Sequence, residues 1–213
     1  MIIEQPQQKQ KERIPVLQPG VYESRLIRII DLGTQPYDIQ EQKDPQGKVV
    51  REKGIGHRRE LILSFETPEE LIPTGNFGGK PYIVSRRYAA SLAQTSNLFK
   101  TLKTWQGEQF VTSGPVDLGV LLGKPALVTT ALTKPLNGSQ GGNLKLEAVQ
   151  NVSRKTVVGD AVNPLIKFSL NRLDFNPDTF HMLDKWVQAV VMQSPEFQLV
   201  KDLLDETAPF EDE

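Results

Sequence analysis

The chain has no cysteine, only two histidines and an apolar share of 38% over 213 residues. Without cysteine there is no disulfide scaffold, no thiol nucleophile and no thiolate-ligated zinc. His57 and His181 alone leave a histidine metal cage short of ligands. No run approaches the roughly 18 apolar residues that a spanning helix needs, so no membrane partner is expected. The opening Met1-Ile2-Ile3-Glu4 is too short an apolar stretch for a signal peptide, and an intracellular protein is expected. The sequons at Asn137 and Asn151 then carry little weight. An apolar share under the usual ~45–50% predicts a folded core with uncovered segments beside it.

What is present is charge, unevenly divided. Residues 1–175 carry 23 Lys/Arg against 17 Asp/Glu, a balance of +6, whereas residues 176–213 carry 2 against 9, a balance of −7. This is either a solvated surface or a polyanion-binding body whose tail imitates its ligand.

Residues 1–18, rich in Gln and alternating charge, have no period that could bury a face, and read as a flexible arm. The spacing predicts a strand over 21–30, stopped by Asp31-Leu32-Gly33, and then a long functional or disordered loop over 33–56. A second strand is expected over 57–66 with Leu61, Leu63 and Phe65 inward, and a third over 80–88. Ser96 caps a predicted helix over 97–106, with Leu98, Leu102 and Trp105 on one face and Gly107 at its end. Strands over 124–132 and 143–152 follow, joined by a glycine-rich turn. The order of three strands, one helix and two strands matches a mainly β, five-stranded barrel of the oligonucleotide/oligosaccharide-binding (OB) type, spanning 19–158.

Residues 159–204 read as a linker, a short strand over 165–170 and two helices. Each helix starts with a capping residue and a proline, Asn176-Pro177 and Ser194-Pro195. Their stripe of Phe180, Leu183, Trp186, Val187, Val190 and Val191 is core or subunit interface, so a homo-oligomer through 177–204 stays open. Residues 205–213 form an acidic tail.

Two segments, Gly75 to Pro81 and Gly119 to Pro125, resemble phosphate loops and fail as such. Each has three residues between its glycines and a proline where the Mg²⁺-binding hydroxyl belongs. Asp31, Glu41 and Lys43 are the nearest approach to a metal-dependent nuclease, but the last two fall in the expected loop, which lacks the necessary rigidity. No cofactor is expected. Cations interleaved with aromatics are more informative: residues 80–103 hold five Lys/Arg and no acid. Lys80, Tyr82, Arg86, Arg87 and Tyr88 are candidates for single-stranded DNA, tyrosines stacking on bases and arginines neutralising phosphates. Lys48, Arg51, Lys53, Arg58 and Arg59 extend that surface. The bland alternative is a solubilising face over core tyrosines.

Arg25-Leu26-Ile27-Arg28-Ile29-Ile30-Asp31-Leu32-Gly33-Thr34, the stretches Ser96 to Lys100 and Trp105 to Gly107, and Leu121-Leu122-Gly123-Lys124-Pro125 resemble the single-stranded-DNA-binding proteins of tailed bacteriophages. The likeness covers about residues 19–155. The ending is similar in kind, with Phe210 set among Asp205, Glu206, Glu211, Asp212 and Glu213. The resemblance implies an OB fold, a role in replication or recombination in the cytoplasm of an infected bacterium, acids that compete with DNA, and a phenylalanine that docks on a polymerase, helicase or recombinase. Two alternatives are a phage structural or assembly protein that uses the helices at 177–204, and the metal-dependent nuclease.

Overall fold

The computed structural model describes residues 17–133 and 144–205. The glycine-rich turn, most of the N-terminal arm, and Glu206, Phe210, Glu211, Asp212 and Glu213 lie outside them.

Two long strands dominate, β1 (Gly20–Ile39) and β4 (Gly54–Leu71), paired antiparallel from Arg25 opposite Glu66 to Ile39 opposite Gly54. The sheet continues through β5 (Pro81–Ala89) on one side, and β6 (Pro125–Leu132) and β7 (Leu144–Gln150) on the other, in the order β5-β4-β1-β6-β7. A short β8 (Ile166–Phe168) runs parallel to β1 at Arg28–Ile30, beyond the stretch that pairs with β6. It pairs backbone groups that β6 has left. The sheet is not closed, because the edge strands β5 and β7 do not pair. Arg86 spans them, its guanidinium donating to the carbonyls of Leu146 (3.3 Å) and Glu147 (3.0 Å). Both Gly-Lys-Pro segments prove to be strand starts, with Pro81 and Pro125 in first place.

The expected end of the first strand at Asp31-Leu32-Gly33 is a register shift inside β1, not a stop. The expected loop over 33–56 is largely ordered pairing. Residues 33–39 and 54–60 form a two-stranded ribbon, tipped by the hairpin of β2 (Gln42–Lys43) and β3 (Val49–Arg51). Such a ribbon meets its backbone hydrogen bonds internally and needs little apolar sequence.

Each face of the β1–β4 pair carries a core. On one face Leu61, Leu63 and Phe65 meet α1 (Asn97–Gln106), whose Trp105 is fully buried edge-on to Phe65 at 5.4 Å. Ser96 accepts from the Phe99 amide and Gly107 ends the helix at φ 91°. Short α2 (Glu108–Thr112) and a 3-10 turn at Leu118–Leu121 complete this layer. Leu17, inside the 1–18 span expected as a flexible arm, is buried here.

On the other face Ile30, Leu32 and Ile62 meet the C-terminal segment. Instead of two long helices there are four short ones: α3 (Pro177–Met182), α4 (Lys185–Met192), α5 (Pro195–Gln198) and α6 (Asp202–Asp205). Leu183 is extended (ψ 149°) and breaks the first run. Gln188 Nε2 donates to the carbonyls of His181 and Leu183 stranded by that break, at 3.2 and 2.8 Å. Phe180, Leu183, Val187 and Val191 are buried within the chain, so this part of the stripe is core.

Buried polar contacts fasten the segment to the sheet. Glu66 is fully buried and accepts from the Val162 amide (2.6 Å) and from the amide and side chain of Asn163 (2.8 and 2.6 Å). Gly33 has φ 69°, and a Cβ there would stand 2.5 Å from the Ser194 side chain, so glycine is needed for α5 to approach. Glu196 then accepts from the amide and hydroxyl of Thr34 at 2.8 and 2.6 Å. Partial burial pushes its carboxyl up, but those hydrogen bonds, with Arg59 nearby, hold it below the usual glutamate range.

Glu66→Ala should destabilise the chain by about 3 kcal/mol or more, because three donors lose their acceptor at roughly 1–3 kcal/mol each. Urea unfolding checks this, and a loss under about 1 kcal/mol would mean that the 159–164 segment is not fastened here.

Candidate nucleic-acid interface

The ribbon of β1 and β4 and its tip concentrate cations, interleaved with acids. Residues 41–60 carry six Lys/Arg (43, 48, 51, 53, 58, 59) against four acids (41, 44, 52, 60), a balance of +2, beside the +5 of residues 80–103. Lys48 sits in the β2–β3 turn, where its amide donates to Asp44 Oδ1 at 2.8 Å and its side chain is exposed. Lys53, also exposed, joins β3 to β4.

One aromatic ring organises this ribbon, and the sequence reading missed it. Tyr37 lies across Gly56, where a Cβ would stand 2.6 Å from the ring. The Arg58 guanidinium stacks 4.4 Å from the ring centroid, and an Arg51 nitrogen reaches the phenol oxygen at 3.5 Å. Tyr37 is half-buried, in contact with the Gly56 backbone and the Arg58 guanidinium. The signal available in the sequence was a Pro-Tyr pair inside a region otherwise poor in aromatics.

Farther along β4 the arginines are paired. Glu60, 4% exposed, accepts from Arg58 Nε at 2.8 Å and from Arg87 on β5. The three form a +1 group whose arginine side chains remain 46% and 41% exposed. Arg59 makes a two-point contact with Asp31, and the hydrogen bond to Asp31 raises its guanidinium above the ordinary arginine value. These arginines are held rather than mobile, leaving part of each planar fork toward solvent.

The third strand corrects part of the predicted site. Tyr82, Val84, Arg86 and Tyr88 do share a face, opposite Thr67, Phe65, Leu63 and Leu61, but that face is the core. Tyr88 is 2% exposed, its hydroxyl near Thr101, and burial raises its pKa above that of a free tyrosine. It is a packing residue, unable to stack on a base. Arg86 lies 5.1 Å over the Tyr88 ring and spends donors on β7 carbonyls, which makes it a bracing residue. Tyr82 is half-buried against the same core. Alternation identifies which residues share a face, but not which face is solvent. Lys80 Nζ sits 5.6 Å over the exposed Phe77 ring.

The candidate nuclease residues do not converge. Asp31 pairs with Arg59, while Glu41 pairs with Lys43 at 3.1 Å past the end of β1. Eight residue steps of extended strand, from Asp31 to Ile39, separate the two pairs by roughly 26 Å. Among the described residues no three His, Asp or Glu side chains are grouped to hold a metal ion, and no helix is long and apolar enough to cross a membrane.

No family model matches the chain, and neither curated proteins nor solved structures include a significant match.

Tyr88→Phe should leave nucleic-acid affinity unchanged, since only a buried hydroxyl is lost, whereas Tyr37→Ala should lower it about tenfold. Titration of a labelled oligothymidine checks both. An affinity loss for Tyr88→Phe at unchanged stability would return the third strand to the binding face.

Proposed function

We propose that the chain binds single-stranded DNA with little sequence preference, as a phage replication or recombination protein acting in the cytoplasm of the infected bacterium. The ribbon carries this reading: six Lys/Arg over residues 41–60, a balance of +2 against the four acids there, with one aromatic ring set among arginines. A polyanion gains from such a surface through counterion release, and exposed base faces gain from a fixed ring. A duplex presents no free base face to Tyr37.

On this reading the five long strands form a partly open OB barrel. Three features support it: β1 lies between β4 and β6, α1 falls between the third and fourth long strands, and Arg86 braces β5 to β7. The ribbon then stands as the connection between first and second strands, a ligand-binding element of that fold. The acidic tail acts as an intramolecular competitor for the basic surface and, through Phe210, as a docking peptide for a polymerase, helicase or recombinase.

A second reading has an observation of its own. Leu173, Leu199 and Met182, at 93%, 69% and 57% exposed, lie on the C-terminal segment and suit an assembly interface. The phage would then use residues 177–204, with Leu173 just before them, for homo-oligomer or assembly contacts.

Fluorescent oligonucleotides, single- and double-stranded, titrated at two salt concentrations, discriminate between them. Single strands should bind more tightly, with affinity falling steeply as salt rises. Replacing Lys48, Arg51 and Lys53 together by Ala should flatten the salt slope by roughly 2, at about 0.7 per lost phosphate contact. Equal affinity for duplex, or an unaltered slope in the triple variant, would overturn the reading. Concentration-dependent assembly without oligonucleotide binding is the rival's result.

A further inference from the structure

The outer face of the sheet, away from the ribbon tip, holds a cleft of about 490 Å³, within the range of small-ligand pockets. Arg28 and Ser64 contribute to its floor. Phe77 and Lys80, in the turn before β5, and Asp184 and Trp186, at the start of α4, also line it.

Three features distinguish this cleft from an ordinary surface groove. Trp186 and Phe77 are 57% and 48% exposed, although Val187, beside Trp186, is buried. Two large rings from different elements thus line one depression and stand partly in solvent. Lys80 makes no ion pair among the described residues, its ammonium lying over the Phe77 ring instead. Most telling is Arg28. Its side chain is 19% exposed, and its Nε is buried with no hydrogen-bond partner among the described residues. Among the described residues its ion pair is a 3.3 Å contact with Asp184, itself 57% exposed. A buried guanidinium N–H without an acceptor is unfavourable, and Arg28 lines the cleft, where an entering anion would meet the rest of its fork.

We propose that this cleft seats one nucleotide of a bound single strand, its base against Trp186 and Phe77 and its phosphate between Arg28 and Lys80. The assignment rests on the single-stranded-DNA reading and extends it to a second contact point beyond the ribbon. Flat rings beside cations fit the two halves of a nucleotide, one π-faced and one anionic. Asp184 opposes the phosphate and holds Arg28 in the ligand-free chain. The incoming phosphate competes with it, so Asp184 sets a threshold against weakly bound anions.

The chain has two tryptophans, and Trp105 is fully buried, so emission changes caused by a stacked base report on Trp186. The test titrates the full-length protein with a labelled twelve-residue oligothymidine, following label anisotropy and tryptophan emission together. Thymidine monophosphate, thymidine and inorganic phosphate serve as separate probes. Oligothymidine should quench the emission, and thymidine monophosphate should bind more tightly than either of its halves. Trp186→Ala should abolish the quench and weaken oligonucleotide binding about tenfold, Lys80→Ala should weaken it several-fold, and Asp184→Asn should tighten it. Trp186 and Lys80 are exposed, so their replacement leaves the core intact, and unchanged urea midpoints verify this. Anisotropy that reports binding without quenching, with Trp186→Ala at full affinity, would overturn the cleft and leave the single-strand reading standing. Inorganic phosphate binding as tightly as thymidine monophosphate would also overturn it, reducing the cleft to an anion site. Absence of binding by either readout would remove the single-strand reading and the cleft with it.

Discussion

β1 and β4 stay paired from Arg25–Glu66 to Ile39–Gly54, and every other part of the described chain attaches to one side or end of that pair. Its first half is covered on both faces, by α1 and Trp105 on one and by α3 to α5 on the other. Its second half, beyond the register shift between Asp31 and Gly33, leaves the core as a ribbon. A single continuous pairing thus carries a stable body and an exposed basic extension. The register decides which residues of β4 meet which core, since a one-residue slip would exchange Leu63 with Ile62.

Electrostatics follow from the same geometry. Glu60 and Asp31 lie where the covered half gives way to the ribbon, and each holds arginines that would otherwise be mobile: Arg58 and Arg87 on Glu60, Arg59 on Asp31. Exposed ion pairs contribute little to stability. Their larger effect here is positional, since a fixed guanidinium loses less entropy on meeting a phosphate than a free one. Acids inside the basic surface lower its total charge while ordering it, and the tip, with Lys48 and Lys53, keeps the unpaired excess.

Much of the body was legible from local signals. Ser96, the spacing of Leu98, Leu102 and Trp105, and Gly107 delimit α1 to the residue, and the prolines at 81 and 125 mark their strand starts. Asn176 and Ser194 cap helices as expected. Illegible features depend on partners far away in sequence. Glu66 reads as a surface residue but is buried, its acceptors satisfied by Val162 and Asn163 nearly a hundred residues on. Ser64 reads as solvent-facing yet is buried beside Ser85. The ribbon looked like a loop because pairing without a core leaves no hydrophobic period to detect. Tyr88 was placed on the binding surface because its cationic neighbour Arg86 shares its face, and only the three-dimensional contact with Leu61 and Thr101 reveals that face as interior.

Backbone amide hydrogen exchange of the full-length protein, with and without oligothymidine at one fixed salt concentration, tests most directly whether the ribbon and the outer face together meet single-stranded DNA. The account predicts added protection in residues 37–59, in the turn at 75–80 and around Trp186, with none over the α2 and 3-10 layer at 108–121. Protection confined to 108–121, or no change anywhere at saturating oligonucleotide, would contradict it.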